Sequence, residues 1–205
     1  MQGYIINTIK VKDEDLLVTV LNKIKVKTLY RFYGARHSNI HMGYKIDYEA
    51  HPTNKEGFFQ LRGVSHLPNK WMFQREKFYV WQQFLKLLYK HLRDVNEIDK
   101  FYYNLLDNMS IYLEKEDPKR VAVESYVKLL EFEGRIYKSF NCFICGQKID
   151  KNIVIVRGYL PACQGCIKKK GFKTKFIVHL FKEKNTILLS QDEINELYDI
   201  MLEGF

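Results

Sequence analysis

The sequence predicts an α+β protein: an N-terminal small β-barrel of OB-fold type, followed by an α-helical domain with an inserted four-cysteine zinc element. Three observations carry this. Five short stretches of alternating or β-branched residues occupy the first 70 positions, as a small barrel requires. After Pro68 the apolar spacing changes from two to about three and a half, the period of helices. The four cysteines occur only as Cys142-Phe143-Ile144-Cys145 and Cys163-Gln164-Gly165-Cys166. These features suggest domains at 1–70 and 71–205, with the zinc element spanning 140–170.

The strands follow from composition and punctuation. Gln2 to Val11 is densely apolar, and the charged turn around Asp13-Glu14-Asp15 separates it from Leu16 to Leu21, which suggests a hairpin. Val26 to Phe32 sets Val26, Thr28, Tyr30 and Phe32 on one face against Lys27, Leu29 and Arg31 on the other, and Gly34-Ala35-Arg36 closes the strand. Met42 to Tyr48 and Phe58 to Val64 complete the set, separated by the turn-rich residues 51–57.

Two amphipathic helices come next. Their stripes are Phe78, Trp81, Leu85, Leu88 and Leu92, then Ile98, Phe101, Leu105, Met109 and Tyr112. A third helix starts at Asp117-Pro118, where the aspartate caps the free N–H groups and proline tolerates the first helical position. Ile153 to Val156 reads as a short strand and Phe176 to Phe181 as a short helix. Ser190-Gln191-Asp192-Glu193 has the capping-box pattern of a final helix to Leu202.

Each C-x-x-C pair lets a tight turn aim two sulfurs at one point, and seventeen intervening residues are enough to bring the second pair to the first. Four thiolates at about 2.3 Å complete a tetrahedral zinc shell with no open position, which suits a structural ion better than a catalytic one. Two disulfides would require an oxidising compartment, and the opening residues show no secretory h-region. Four buried free thiols are the other reading.

Of the 205 residues 46% are hydrophobic and 28% charged, ordinary for a globular protein, and no apolar run approaches the roughly 18 residues a membrane span needs. The expected location is the cytoplasm, in association with the nucleoid. The net charge of +9 is unevenly placed: +5 over residues 1–70, +1 over 71–141, +8 over 142–184 and −5 over 185–205. Two separate basic regions suggest a polyanionic partner, most often nucleic acid.

Gly3, the acidic turn before Leu16-Leu17-Val18-Thr19-Val20-Leu21, and Gly34-Ala35-Arg36 closing the third strand resemble the N-terminal domain of the bacterial recombination mediator RecO family. The helical remainder with its C-x-x-C…C-x-x-C element extends the resemblance over the chain in a compact form. It implies a non-enzymatic DNA repair and recombination mediator of the RecF-pathway type. Such proteins bind single- and double-stranded DNA, anneal complementary strands and engage the acidic tail of single-strand-binding protein. With a RecR-type partner they help load the RecA recombinase. Many relatives carry lysine before Gly-Ala-Arg and Gly-Lys in the second turn; this chain has Tyr33 and Asn22-Lys23-Ile24-Lys25 there.

On this reading Lys23, Lys25, Lys27, Arg31, Arg36 and Lys45 contact phosphate from the barrel, with Tyr30 or Tyr33 available for stacking. Lys168, Lys169, Lys170, Lys173 and Lys175, starting two residues after the last cysteine, hold a second strand. The metal ligands are Cys142, Cys145, Cys163 and Cys166, with one structural zinc per chain. The alternative is a zinc-stapled protein–protein assembly module that touches nucleic acid incidentally. A metal-dependent nucleic-acid enzyme is disfavoured, because neither a phosphate-binding loop nor H-E-x-x-H occurs.

Overall fold

A computed structural model describes residues 1–12, 14–37, 39–53 and 59–205. Asp13 of the acidic turn and Phe58 at the start of the fifth expected strand lie outside these residues. The chain forms two compact units, Met1–Lys115 and Glu116–Phe205.

The first unit is built on five strands, β1 (Gln2–Lys10), β2 (Leu16–Leu21), β3 (Val26–Arg31), β4 (Lys45–Pro52) and β5 (Phe59–His66), closed in the order β1-β2-β3-β5-β4. All pairings are antiparallel except that between β3 and β5, which meet in parallel at Tyr30 and Gln60. Alternation fills the barrel with Ile5, Leu16, Val18, Val20, Leu29, Ile46, Tyr48 and Leu61, all buried. Gly3 lies where β1 crosses β2 closely, since a Cβ there would stand 2.5 Å from Val20 and 2.9 Å from the Leu21 carbonyl oxygen.

β4 begins three residues later than the alternation suggests and runs through His51-Pro52. Gly43 causes the delay. Its φ of +105° turns the chain, its N–H donates to the Ile5 carbonyl (2.8 Å), and its own carbonyl accepts the Trp81 indole N–H (2.9 Å). Pro52 is tolerated because it sits at the strand end opposite Phe59, where no ladder donor is needed.

Helices α1 (Arg75–His91) and α2 (Lys100–Tyr112) belong to the barrel's unit, although the change of period alone groups them with the later helices. Tyr4 of β1 explains this. It is 1% exposed, its ring meets Trp81 of α1 edge-on at 5.5 Å, and its hydroxyl donates to Asp107 of α2. Lys45 of β4 pairs with the same carboxylate at 2.7 Å.

The second unit contains α3 (Pro118–Phe132), β6 (Asn152–Val156), β7 (Leu160–Ala162), β8 (Phe172–Lys173), α4 (Thr174–Glu183) and α5 (Gln191–Leu202). Asp117 caps α3 by accepting from the Lys119 and Arg120 N–H groups, and Ser190 with Glu193 forms the capping box of α5. α3 buries two faces, including Val121, Ala122, Tyr126, Leu129 and Leu130. Arg120 donates to the Thr186 and Leu189 carbonyls, and Glu124 accepts from the Thr186 N–H and hydroxyl, so the segment before α5 is tied to α3. The small sheet has the order β7-β6-β8.

Candidate metal centre and nucleic-acid surfaces

The four cysteines converge in the second unit. Gly146, at φ +73°, lets the chain fold back behind the first pair, with its N–H on the Cys142 carbonyl and the Cys142 N–H on the Gln147 carbonyl, both 2.8 Å. The second pair closes through the Cys166 and Ile167 N–H groups, which share the Cys163 carbonyl. β7 ends at Ala162, directly before Cys163, and the Phe143 N–H donates to the Pro161 carbonyl at 2.9 Å, so β7 fixes one knuckle against the other.

The four Sγ atoms lie within 4.8 Å of one another. Cys145 and Cys163 are 3.8 Å apart, and all four thiols are free. A disulfide would need about 2.05 Å, whereas a tetrahedron with bonds of about 2.3 Å has edges of about 3.8 Å. The donor chemistry agrees. Burial opposes ionisation of Cys142, yet backbone N–H groups of Cys163, Cys145 and Ile144 directed at its sulfur draw its pKa down to about 6. Hydrogen bonding with the Cys145 and Cys163 sulfurs pushes Cys166 up to about 12. A divalent cation at the centre allows all four to ionise together. The residues therefore fit a four-sulfur metal site.

The lysines beyond the second pair, Lys168, Lys169, Lys170, Lys173 and Lys175, are all exposed. Lys173 and Lys175 stand 5.3 and 5.5 Å from the Phe176 ring, which holds both heads at one place on α4.

The barrel cations are less free than their spacing suggests. Leu29 of β3 is fully buried, so the face that carries Lys27 and Arg31 is the interior face. Both residues are half-buried, and the Arg31 Nε is itself buried. The Lys27 ammonium lies over the Phe59 ring, and Arg31 donates to the Leu61 carbonyl at 3.0 Å. Lys25 falls before the strand, in a bridge to Glu97, so it does not share a regular face with the other two. Arg36 is paired with Glu14. Burial would lower the pKa of Lys45, but its bond to Asp107 outweighs this and holds it above the ordinary lysine value, which makes it an internal fastener. Lys23 is exposed, 6.0 Å from the Tyr103 ring. The Tyr30 hydroxyl is occupied by Asp15, whereas Tyr33 is 59% exposed.

A pocket of about 310 Å³ in the second unit has no counterpart in any spacing rule. Ile136, Phe140, Val178 and Phe181 line it with apolar surface, Lys138 and Lys182 add two cations, and Glu131 is paired with Lys184 at 2.7 Å. It is assembled from the end of α3, the segment after it, and α4 with the residue that follows, so only the helical period of α4 hinted at it.

A closed five-stranded barrel of this strand order, joined to helices and followed by four clustered cysteines, defines the class of small OB-type barrel proteins with a candidate four-sulfur metal site. Residues 1–72 match the family described as RecO N terminal, so the barrel is similar to the N-terminal domain of that family. No curated protein matches the chain. No helix is long and apolar enough to cross a membrane among the described residues.

Proposed function

We propose that this chain is a RecO-type DNA repair and recombination mediator that binds and anneals DNA without breaking or making covalent bonds. In this reading it engages the acidic tail of single-strand-binding protein and, with a RecR-type partner, assists loading of RecA. The match of the barrel to the RecO N-terminal family carries the proposal. Cysteines 142, 145, 163 and 166 hold one zinc ion as a closed structural site, which supplies rigidity and no reactive position.

Annealing requires two polyanions to approach, and the charge placement supports it. Lys168 to Lys175 present five exposed ammonium groups, and the barrel adds Lys23 and Lys25. Cations between two backbones lower their repulsion without reading sequence. The test is polarisation binding of a labelled mixed-sequence single strand across a salt series, with metal content measured on the same sample. Affinity should fall with log salt at about −0.7 per contacted phosphate and depend little on sequence. Salt-independent or strongly sequence-specific binding would overturn the reading. Binding that appears only with a partner protein would favour the assembly module.

The 310 Å³ pocket suits the peptide tail, since its apolar lining receives a C-terminal hydrophobic side chain and Lys138 and Lys182 meet the acidic residues. Reversing both lysines (K138E with K182E) is expected to weaken an acidic, apolar-ended peptide by tenfold or more in titration calorimetry, while single-strand affinity changes little. Equal peptide affinity in both proteins would place the tail elsewhere.

A further inference from the structure

Tyr33 has φ +52° and ψ +28°, in the left-handed region that disfavours residues with a Cβ. The other tyrosine with such a backbone, Tyr159, serves the fold: its ring is buried and its hydroxyl donates to the Leu197 carbonyl. Tyr33 offers the fold no such support, because 59% of it faces solvent. Glycine or asparagine would meet the backbone requirement at lower cost.

The surroundings enforce the conformation. Asp15 accepts from the Tyr33 N–H at 2.7 Å through one carboxylate oxygen and from the Tyr30 hydroxyl through the other. These bonds, helped by nearby Lys12, hold the Asp15 carboxyl below the ordinary carboxylate range. The Ala35 N–H donates to the Glu14 carbonyl at 2.8 Å, and Glu14 pairs with Arg36. The acidic turn thus uses its charges to hold the end of β3. The result is two neighbouring exposed aromatics: Tyr33, with the Arg36 guanidinium 5.3 Å from its ring, and Phe32, 49% exposed and braced edge-on by Tyr30 at 4.8 Å.

We propose that Phe32 and Tyr33 form a base-stacking platform for single-stranded nucleic acid, held ready by the clamp on Asp15 and Glu14. A backbone cost borne to display an aromatic ring to water is the pattern of a binding device. Rigid exposed rings beside cations are what unpaired bases stack on. This rests on the DNA-binding reading and adds where the bases go, and it makes single strands differ from duplexes, whose bases are already stacked.

The experiment uses full-length protein with Tyr33→Gly, Phe32→Ala and Tyr33→Trp. Because stacking contributes about 1–3 kcal/mol per base, Y33G and F32A should each bind oligo(dT) roughly 5- to 100-fold more weakly, with duplex affinity changed less than about twofold. Y33G should melt at the same temperature as the parent or a few degrees higher, having shed the left-handed cost. Y33W should retain affinity, and its new indole should be quenched by oligo(dT), unlike the buried Trp71 and Trp81. If the parent binds and Y33G binds equally, or if the indole introduced by Y33W is not quenched, the platform is refuted while DNA binding stands. If the parent binds no single strand, both fall.

Discussion

Chelation of the metal is expected to lower the melting temperature of the second unit by roughly 15–25 °C. The four cysteines close a loop of about 25 residues, and a cross-link over that length contributes about 3.5 kcal/mol by restricting the unfolded chain. In a domain of this size each kcal/mol corresponds to about 4–8 °C. The sheet inside the loop cannot replace it, because β7 and β8 have three and two residues. β6 should resist longest, with Ile153 and Val154 buried at 0% and 2% exposure. Differential scanning calorimetry with and without chelator, with proteolysis mapped between residues 140 and 171, measures this. A melting curve indifferent to chelator in a sample shown to contain zinc would mean the ion adds little to the fold. A Cys145→Ser, Cys166→Ser variant should behave like chelated protein.

Reversing Lys168, Lys169 and Lys170 to glutamate is expected to have the largest effect on DNA. Three lost phosphate contacts reduce the salt slope on single strands by about two, so from about 50 to 200 mM salt the parent should lose roughly 20-fold more affinity than the variant. The three side chains are exposed, so melting should hardly change. The Glu196 carboxyl bears on the size of the effect. Burial raises its pKa, and Lys169 and Lys170 act in the opposite direction, so those two lysines already feel a neighbouring acid. An unchanged slope would move the phosphate contacts to the barrel.

Short-range chemistry was legible in the sequence. The cysteine pairs, the Asp117 cap and the Ser190 capping box are complete within a few residues, and each is found where its spacing puts it. What was not legible depends on partners distant in the chain. Gly43 delays β4 because Trp81 claims its carbonyl, and Lys45 resembles any strand lysine until Asp107 is brought beside it. Lys27, Leu29 and Arg31 share a face by simple alternation, but only barrel closure shows that the face points inward. Tyr33 was visible as an aromatic and invisible as a strained residue, since tyrosine carries no preference for left-handed backbone.

The closed strand order also governs how the barrel is made on the ribosome. β1 pairs with β4 through Gln2 with Asp47, Gly3 with Ile46 and Tyr4 with Lys45, and β3 must wait for β5. A nascent chain that has released only the first three strands is an open meander, with unpaired backbone groups along β1 and β3 and its apolar inner face uncovered. At about 5–20 residues per second that exposure lasts for seconds. The two strands that end it are the last of the barrel to emerge, so mutations that slow β4 or β5 should reduce soluble yield more than they reduce the stability of the finished fold.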